Sequence, residues 1–236
     1  MRTLLLAMLF TLAYSIAFSQ TTNQETSILD RNVNPGQVIN ELPLPPPGME
    51  GSFYLNENWL VGDFTITNSD KLYKNFPLRY DLKNQLLEIE NDNKTKVCTL
   101  PVLKTFSYRN HNNEIESYVN TDLIDDANKI LPKSIAQVLF EDKLMLIGVP
   151  YVEVKDPTYV QAIDMGNRNK QILKKIDYYV VNNARAHKVI GSSFKKNEGI
   201  FGNKKTDVEN FIKENKLKFN KEDDLVKIFN YYNSLI

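Results

Sequence analysis

Apolar and polar residues alternate along the stretch from Gly51 to Tyr108, in short runs separated by turns rich in Asn, Asp, Gly and Lys. A repeat of two residues is typical of strands with one buried face, and short turns favour antiparallel pairing. In the segment FPLRYDL, which begins at Phe76, every second residue is large and apolar. Pro77 lacks the N–H that an inner strand needs, so we expect it at a sheet edge or a bulge.

Two apolar runs further along the chain predict a hairpin. They are SIAQVLFED, from Ser134, and KLMLIGVPYVEV, from Lys143, with a charged turn between them. Residues 121–131 carry apolar positions at helical spacing and predict a short helix that ends at Pro132. Another alternating run, KIDYYVV from Lys175, predicts one more strand.

Residues 204–236 have a different pattern, with two apolar stripes of helical period. Thr206 with Glu209 three residues on forms a capping box for the first helix, and Asn220 is the predicted cap of the second. Apolar stripes need a surface to cover them, and the sheet is the nearest one. The predicted fold class is therefore α+β: an antiparallel sheet, or a partly open barrel-like sheet, with a C-terminal pair of helices packed on it.

The first residues have the order of a secretory signal peptide. Arg2 precedes an uncharged apolar run over residues 4–18, and the small residues Ala17 and Ser19 lie three and one positions before Gln20. We therefore predict a signal peptide over residues 1–19, cleaved between Ser19 and Gln20. The alternative is a permanent membrane anchor, but the run is about 15 residues and a spanning helix needs about 20.

Residues 20–50 lack periodicity and end in a Pro-rich run, which predicts a flexible, extended tether. Such a run can also be a polyproline ligand for a partner. We expect residues 51–236 to form a single β-rich domain, because this length can bury a core. No second apolar run long enough to span a membrane follows the signal peptide, so we expect a soluble mature protein.

Charge and cysteine content exclude several classes of function. The chain has 29 Lys and Arg residues against 29 Asp and Glu residues and lacks a basic cluster, which argues against nucleic acid as a partner. Cys98 is the one cysteine, so an intramolecular disulfide cannot form. The two histidines, His111 and His187, lack further ligand-type residues at metal-binding spacing. We accordingly predict no metal site and no cofactor.

Catalytic candidates are few. The acidic pairs Asp125–Asp126 and Asp223–Asp224 could supply acid and base roles in glycoside cleavage, but a solvated turn and helix capping explain them equally well. We therefore assign no catalytic residue. Aromatic residues in the first half of the chain could line a concave site for a sugar or peptide, although core packing also explains them. The candidate binding surface comprises Tyr54, Trp59, Arg79 and Tyr80.

Four segments of the chain resemble a group of uncharacterised exported proteins of Bacteroidota. They are GSFYLNENW, FPLRYDLKNQLLEIE, DYYVVNN and DLVKIFNYYNSL, and the resemblance covers about three quarters of the mature chain. It implies an origin and a compartment without implying an activity. The expected function is that of an exported, periplasmic or secreted, noncatalytic binding or envelope-associated protein whose partner is an unknown protein or glycan. The alternative is a periplasmic or secreted hydrolase that acts on a glycan or peptide.

Overall fold

A computed structural model of the chain describes residues 38–39, 48–69, 71–92, 94–124, 126–160, 163, 165–191 and 193–236. The predicted signal peptide, with Ala17, Ser19 and Gln20, lies outside these residues, as does most of the predicted tether. Two short strands, β1 (Val38–Ile39) and β2 (Met49–Glu50), lie within residues 20–50, for which the sequence predicted an extended tether.

The remaining strands include every segment that was predicted from its alternation, together with two that were not predicted, Ile115–Asn120 and Arg185–Lys188. They are β3 (Leu60–Ile66), β4 (Leu72–Asp81), β5 (Leu86–Asn91), β6 (Lys94–Thr99), β7 (Leu103–Arg109), β8 (Ile115–Asn120), β9 (Ile135–Glu141), β10 (Leu144–Lys155), β11 (Lys170–Asn182) and β12 (Arg185–Lys188). The helices are α1 (Phe194–Asn197), α2 (Lys205–Glu214) and α3 (Glu222–Leu235), with 3₁₀ turns over Thr121–Leu123 and Glu198–Lys204. Both the hairpin of β9 and β10 and the C-terminal pair of helices were predicted from the sequence and are confirmed.

All strands belong to one sheet. Eleven of them follow one path in the order β1-β6-β5-β4-β3-β7-β8-β9-β10-β11-β12, while β2 pairs with β11. Neighbours on the path pair antiparallel, and the contact of β2 with β11 is parallel. The sheet does not close into a barrel. The predicted α+β class is confirmed at this level.

One face of β3 to β8 forms the first hydrophobic core. Leu78, Tyr80 and Leu87 lie there because they occupy alternate positions of β4 and β5. Tyr80, Phe106 and Tyr118 stack in series, with ring centroids 5.5 and 4.7 Å apart. Aromatic stacking of this kind adds to the gain from area burial.

The C-terminal helices cover a second core on β10 and β11. Leu144, Leu146 and Val180 are buried there against Phe201, Leu225 and other residues of the helical region. Because the stripes of α2 and α3 meet an apolar strand face, the packing supplies the stability that these short helices lack in isolation.

Helix starts differ from the predicted caps. Helix α2 begins at Lys205 without a side-chain cap, because the 3₁₀ turn over Glu198–Lys204 runs directly into it and leaves no free helix end at Thr206. Helix α3 begins at Glu222 rather than after Asn220, also without a side-chain cap. The acidic residues of its first turn still suit the helix dipole.

The helix predicted over residues 121–131 is wrong, because the 3₁₀ turn Thr121–Leu123 is the only helical turn among the residues of this segment that the structure describes. The backbone and polar groups of this loop bind the edge of the sheet instead: Ala127 N–H donates to Ala184 O, and the Asn128 amide pairs with the backbone of Ala186. Ile124 and Leu131 then cover a third, smaller core around Ile147 and Tyr179.

Pro77 lies in the part of β4 that pairs with β3 alone. It stands opposite Val61 of β3, while the pairing of β4 with β5 begins only at Leu78. Beyond Leu78, the open side of β4 is taken by residues 53–55, since Leu55 N–H donates to Tyr80 O and Leu82 N–H donates to Phe53 O. We call residues 48–59 the strap, because they run from the start of β11 to the end of β4.

Candidate functional site

Three of the four residues of the predicted binding surface meet around one guanidinium group. Arg79 lies against the ring of Tyr54, 3.9 Å from its centroid, and against the ring of Trp59, 4.5 Å from its centroid. Its Nε and Nη2 both donate to Glu88 Oε2, at 3.1 and 2.8 Å. We call Tyr54, Trp59, Arg79 and Glu88 the arginine cluster.

The arginine cluster contains a fully buried charge. The side chain of Glu88 is 0% exposed and that of Arg79 is 21% exposed. Burial raises the pKa of Glu88, while the bonds and charge of Arg79 and the neighbouring Tyr54 act in the opposite direction. Among the described residues, no group donates to the second buried oxygen, Glu88 Oε1. The carboxylate therefore depends on Arg79 for its stability.

Tyr80 does not join the other three residues. Because successive side chains of a strand point to opposite faces, Arg79 and Tyr80 are on different sides of the sheet. Tyr80 is buried in the first core, and its hydroxyl donates to Gln85 Oε1 at 3.0 Å. The rings of Tyr54 and Trp59 belong to the strap, so the arginine cluster fastens the strap to β4 and β5.

A second surface, the sheet groove, lies on the outward face of β3, β7, β8 and β9. It has a volume of about 430 Å³, within the range of small-ligand sites. Its lining residues are Asp63, Phe64, Leu72, Thr105, Phe106, Ser107, Ser117, Tyr118, Val119, Val138, Glu141 and Met145.

Strand register explains the polar floor of the sheet groove. Asp63 stands opposite Ser107, and Ser107 stands opposite Ser117, so the three side chains form a row across three strands. Two strand spacings make this row about 10 Å long. The next row contains Thr65 and Thr105, whose hydroxyl oxygens are 2.6 Å apart. The hydroxyls of Ser107 and Ser117 have no hydrogen-bond partner among the described residues.

The charge of the sheet groove comes from Asp63 and Glu141, and the described lining contains no Lys or Arg. Asp63 Oδ1 accepts the Asn75 N–H at 2.9 Å and so holds a bulge in β4, where Asn75 has a φ of 61°. Leu72 and Met145 supply apolar walls. The arrangement can hold a ligand with several hydroxyl or amine donors and small apolar faces.

The sheet groove was not predicted from the sequence. Asp63 and Ser107 lie at outward positions of strands that were predicted from their alternation, whereas no strand was predicted around Ser117. Their meeting depends on the pairing of β3 with β7, which brings Asp63 opposite Ser107, more than 40 positions further along the chain. Small polar residues on outward strand positions are the one local signal that could have pointed to this face.

The remaining candidate residues do not lie together in the structure. His111 lies in the turn between β7 and β8 and His187 on β12, both exposed. Cys98 is buried, and burial raises the pKa of its thiol to about 11. Asp125 is outside the described residues, while Asp126 accepts N–H bonds from Leu131 and Ala186.

Within the described part of the chain, no three His, Cys, Asp or Glu residues are placed to hold a metal ion. No helix in the same residues is both long and apolar enough to cross a membrane. Protein-family models, curated proteins and solved structures contain no match to this chain.

Proposed function

We propose that this chain is an exported, noncatalytic binding or envelope-associated protein, and that its ligand is a glycan held in the sheet groove. The observation that carries the proposal is the row of Asp63, Ser107 and Ser117, whose two hydroxyls have no hydrogen-bond partner in the described part of the chain and can therefore bond a ligand. A row of about 10 Å spans two sugar rings, and carboxylate and hydroxyl oxygens accept bonds from sugar hydroxyls. The signal-peptide pattern and the resemblance to exported Bacteroidota proteins support the compartment.

A glycoside hydrolase would need two carboxyl groups about 5–9.5 Å apart across the ligand. The two acidic residues of the groove lining stand on strands that are not neighbours, Asp63 on β3 and Glu141 at the end of β9, with β7 and β8 between them. Glu88, the one carboxyl group of the arginine cluster, is buried beneath Arg79 and cannot reach a substrate.

Titration calorimetry of the chain that starts at Gln20 tests the ligand. We would use N-acetylglucosamine oligomers and their deacetylated forms, and we expect tighter binding of the amine-bearing forms because the groove lining carries two carboxylates. Ser117→Trp should abolish binding by filling the groove. The double variant S107A/S117A should weaken it roughly 5- to 100-fold, from two lost hydrogen bonds.

Ser193→Ala is the matched control, since Ser193 is exposed and its hydroxyl caps no helix. Unchanged affinity of S117W would contradict the proposal, and release of shortened oligomers by the unmodified chain would favour the hydrolase. Export has a separate test: we expect the N-terminal sequence of the protein recovered from the envelope or medium to begin at Gln20. A protein that keeps Met1 in the membrane fraction would instead indicate an anchor.

A further inference from the structure

Strand β12 ends the path of the sheet, so one of its two sides has no neighbouring strand. Its other side pairs with β11, and just beyond β12 the Val189 N–H donates to Tyr178 O at 2.8 Å. The backbone groups of an antiparallel strand face its two sides alternately, residue by residue. The N–H and C=O groups of Ala186, Lys188 and Ile190 therefore point away from β11.

Two asparagine side chains cap this edge on either side of Lys188. The Asn128 carboxamide accepts the Ala186 N–H at 3.0 Å and donates to Ala186 O at 2.7 Å. The Asn197 carboxamide accepts the Ile190 N–H at 2.8 Å and donates to Ile190 O at 3.0 Å. Each carboxamide thus makes the two bonds that one residue of a further strand would make.

The backbone of Lys188, between the two caps, has no hydrogen-bond partner among the described residues. A pocket of about 290 Å³ lies at this position, and its lining includes Lys188, both capped residues and both asparagines. We call it the edge pocket. A volume at the lower end of the range for small-ligand sites fits one small molecule. A further strand could not pair here, because the caps already occupy the backbone groups on both sides of Lys188.

The edge pocket also offers apolar contacts and one positive charge. Ile130 and Ile190 belong to its lining and are 42% and 49% exposed. Lys188 is paired with Asp177 at 2.6 Å, whereas Lys196 has no ionic partner in the part of the chain that the structure describes. The described lining contains no Asp or Glu. A ligand that bears a carboxylate can therefore pair with Lys196.

We propose that the edge pocket binds a small ligand through a primary carboxamide, which caps Lys188 as the two asparagines cap its neighbours. The carbonyl oxygen of the ligand accepts the Lys188 N–H, and its NH₂ group donates to Lys188 O. A carboxylate of the same ligand pairs with Lys196. An Asn or Gln residue at the carboxyl terminus of a peptide carries both groups. The edge pocket shares no lining residue with the sheet groove, so this proposal does not depend on a glycan.

NMR titration of the isotope-labelled chain that starts at Gln20 tests the carboxamide. N-acetyl-L-glutamine, the probe, should shift the amide signal of Lys188 saturably. N-acetyl-L-glutamate has the same shape without the NH₂ group, so it should bind about tenfold more weakly or worse because it cannot donate to Lys188 O. Attraction to lysine alone would favour the glutamate, which carries two negative charges. Equal or tighter binding of N-acetyl-L-glutamate would therefore overturn the proposal.

Variants locate the contact. A Cβ at Gly199, which lines the edge pocket, would meet no atom within 4 Å, so Gly199→Trp should fill the pocket without disturbing the fold and should abolish the shift at Lys188. Ile115→Trp is the matched control, because it adds the same side chain at an exposed position of β8 outside the pocket, and it should bind as the unmodified protein does. Lys196→Gln should weaken binding of the probe about threefold and leave binding of its methyl ester unchanged.

Hydrogen exchange supplies a second readout in the unmodified protein. The Lys188 amide should exchange faster than those of Ala186 and Ile190, and the probe should slow it. No saturable shift at Lys188, slow exchange there without the probe, or equal binding by the Gly199 and Ile115 variants would overturn the proposal. Unchanged binding of the probe by K196Q would overturn the pairing with Lys196. The variant S117W should still bind the probe and G199W should still bind the glycan, so failure of one site is distinguishable from failure of the other.

Discussion

Replacing Arg79 with Met should destabilise the fold by leaving Glu88 charged and buried. Removing one partner of a buried ion pair costs about 3–5 kcal/mol, and the lower value applies because Arg79 is partly exposed. Loss of the contacts with Tyr54 and Trp59 adds about 1 kcal/mol. The expected total is about 4 kcal/mol, or a fall in Tm of about 8–16 °C for a domain of this size.

Urea unfolding followed by tryptophan fluorescence measures this change directly, because Trp59 is the one tryptophan and lies on Arg79. The pH dependence has a defined sign. Burial raises the folded-state pKa of Glu88 above its ordinary value, so the folded state holds the proton more tightly than the unfolded chain does. The free energy of unfolding therefore falls as pH rises between the unfolded and folded pKa values. In R79M the folded-state pKa of Glu88 should rise further, because the Arg79 bonds and charge that lower it are lost. Lowering the pH from 7 to about 5 should then protonate Glu88 and recover most of the stability lost to its buried charge.

The double variant R79M/E88M should be more stable than R79M at pH 7, since an apolar pair replaces an uncompensated charge. Lys213→Met is the control, because it removes an exposed pair with Glu209 and should cost less than about 0.5 kcal/mol. Equal stability of R79M and the unmodified protein, or R79M/E88M no more stable than R79M, would contradict the dependence of Glu88 on Arg79.

The packing leads to three further expected results. The Cys98 thiol should resist Ellman's reagent at pH 8 until urea unfolds the chain, because its pKa is raised to about 11 by burial; fast reaction of the native protein would contradict this. Asn128→Ala should lower the free energy of unfolding by about 1–2 kcal/mol and promote association seen by light scattering, because the edge at Ala186 loses its cap; unchanged values would count against that role. Deleting residues 205–236 should cause aggregation by exposing Leu144 and its neighbours, and a truncated protein as soluble and heat-stable as the parent would argue against helix docking.

Local patterns predicted the elements whose partners are near in sequence. The alternation in β4 and β5 assigned Leu78 and Leu87 to the core, and the short turn between the strands brings Arg79 opposite Glu88. Helical stripes likewise predicted α2 and α3. The helix prediction over residues 121–131 was wrong because the polar groups of this loop bond a sheet edge, and that edge exists only after β11 and β12 have paired.

Prediction of the candidate site required knowledge of strand pairing between segments that are distant in the sequence. Tyr54 and Trp59 reach Arg79 because the strap crosses from β11 to β4, and alternation alone could have excluded Tyr80, which follows Arg79 directly in β4. The sheet groove requires β3 beside β7 and β7 beside β8 in one register. A shift of one residue would turn Asp63 and Ser107 to the opposite face, so no single segment contains the information.

Mapping of amide chemical shifts shows directly which residues contact the ligand. The isotope-labelled chain from Gln20 would be titrated with deacetylated N-acetylglucosamine oligomers, and we expect the largest saturable shifts at Asp63, Ser107 and Ser117. Shifts centred on Tyr54 and Trp59, or no saturable shift on any groove strand, would contradict the assignment of the sheet groove as the ligand site.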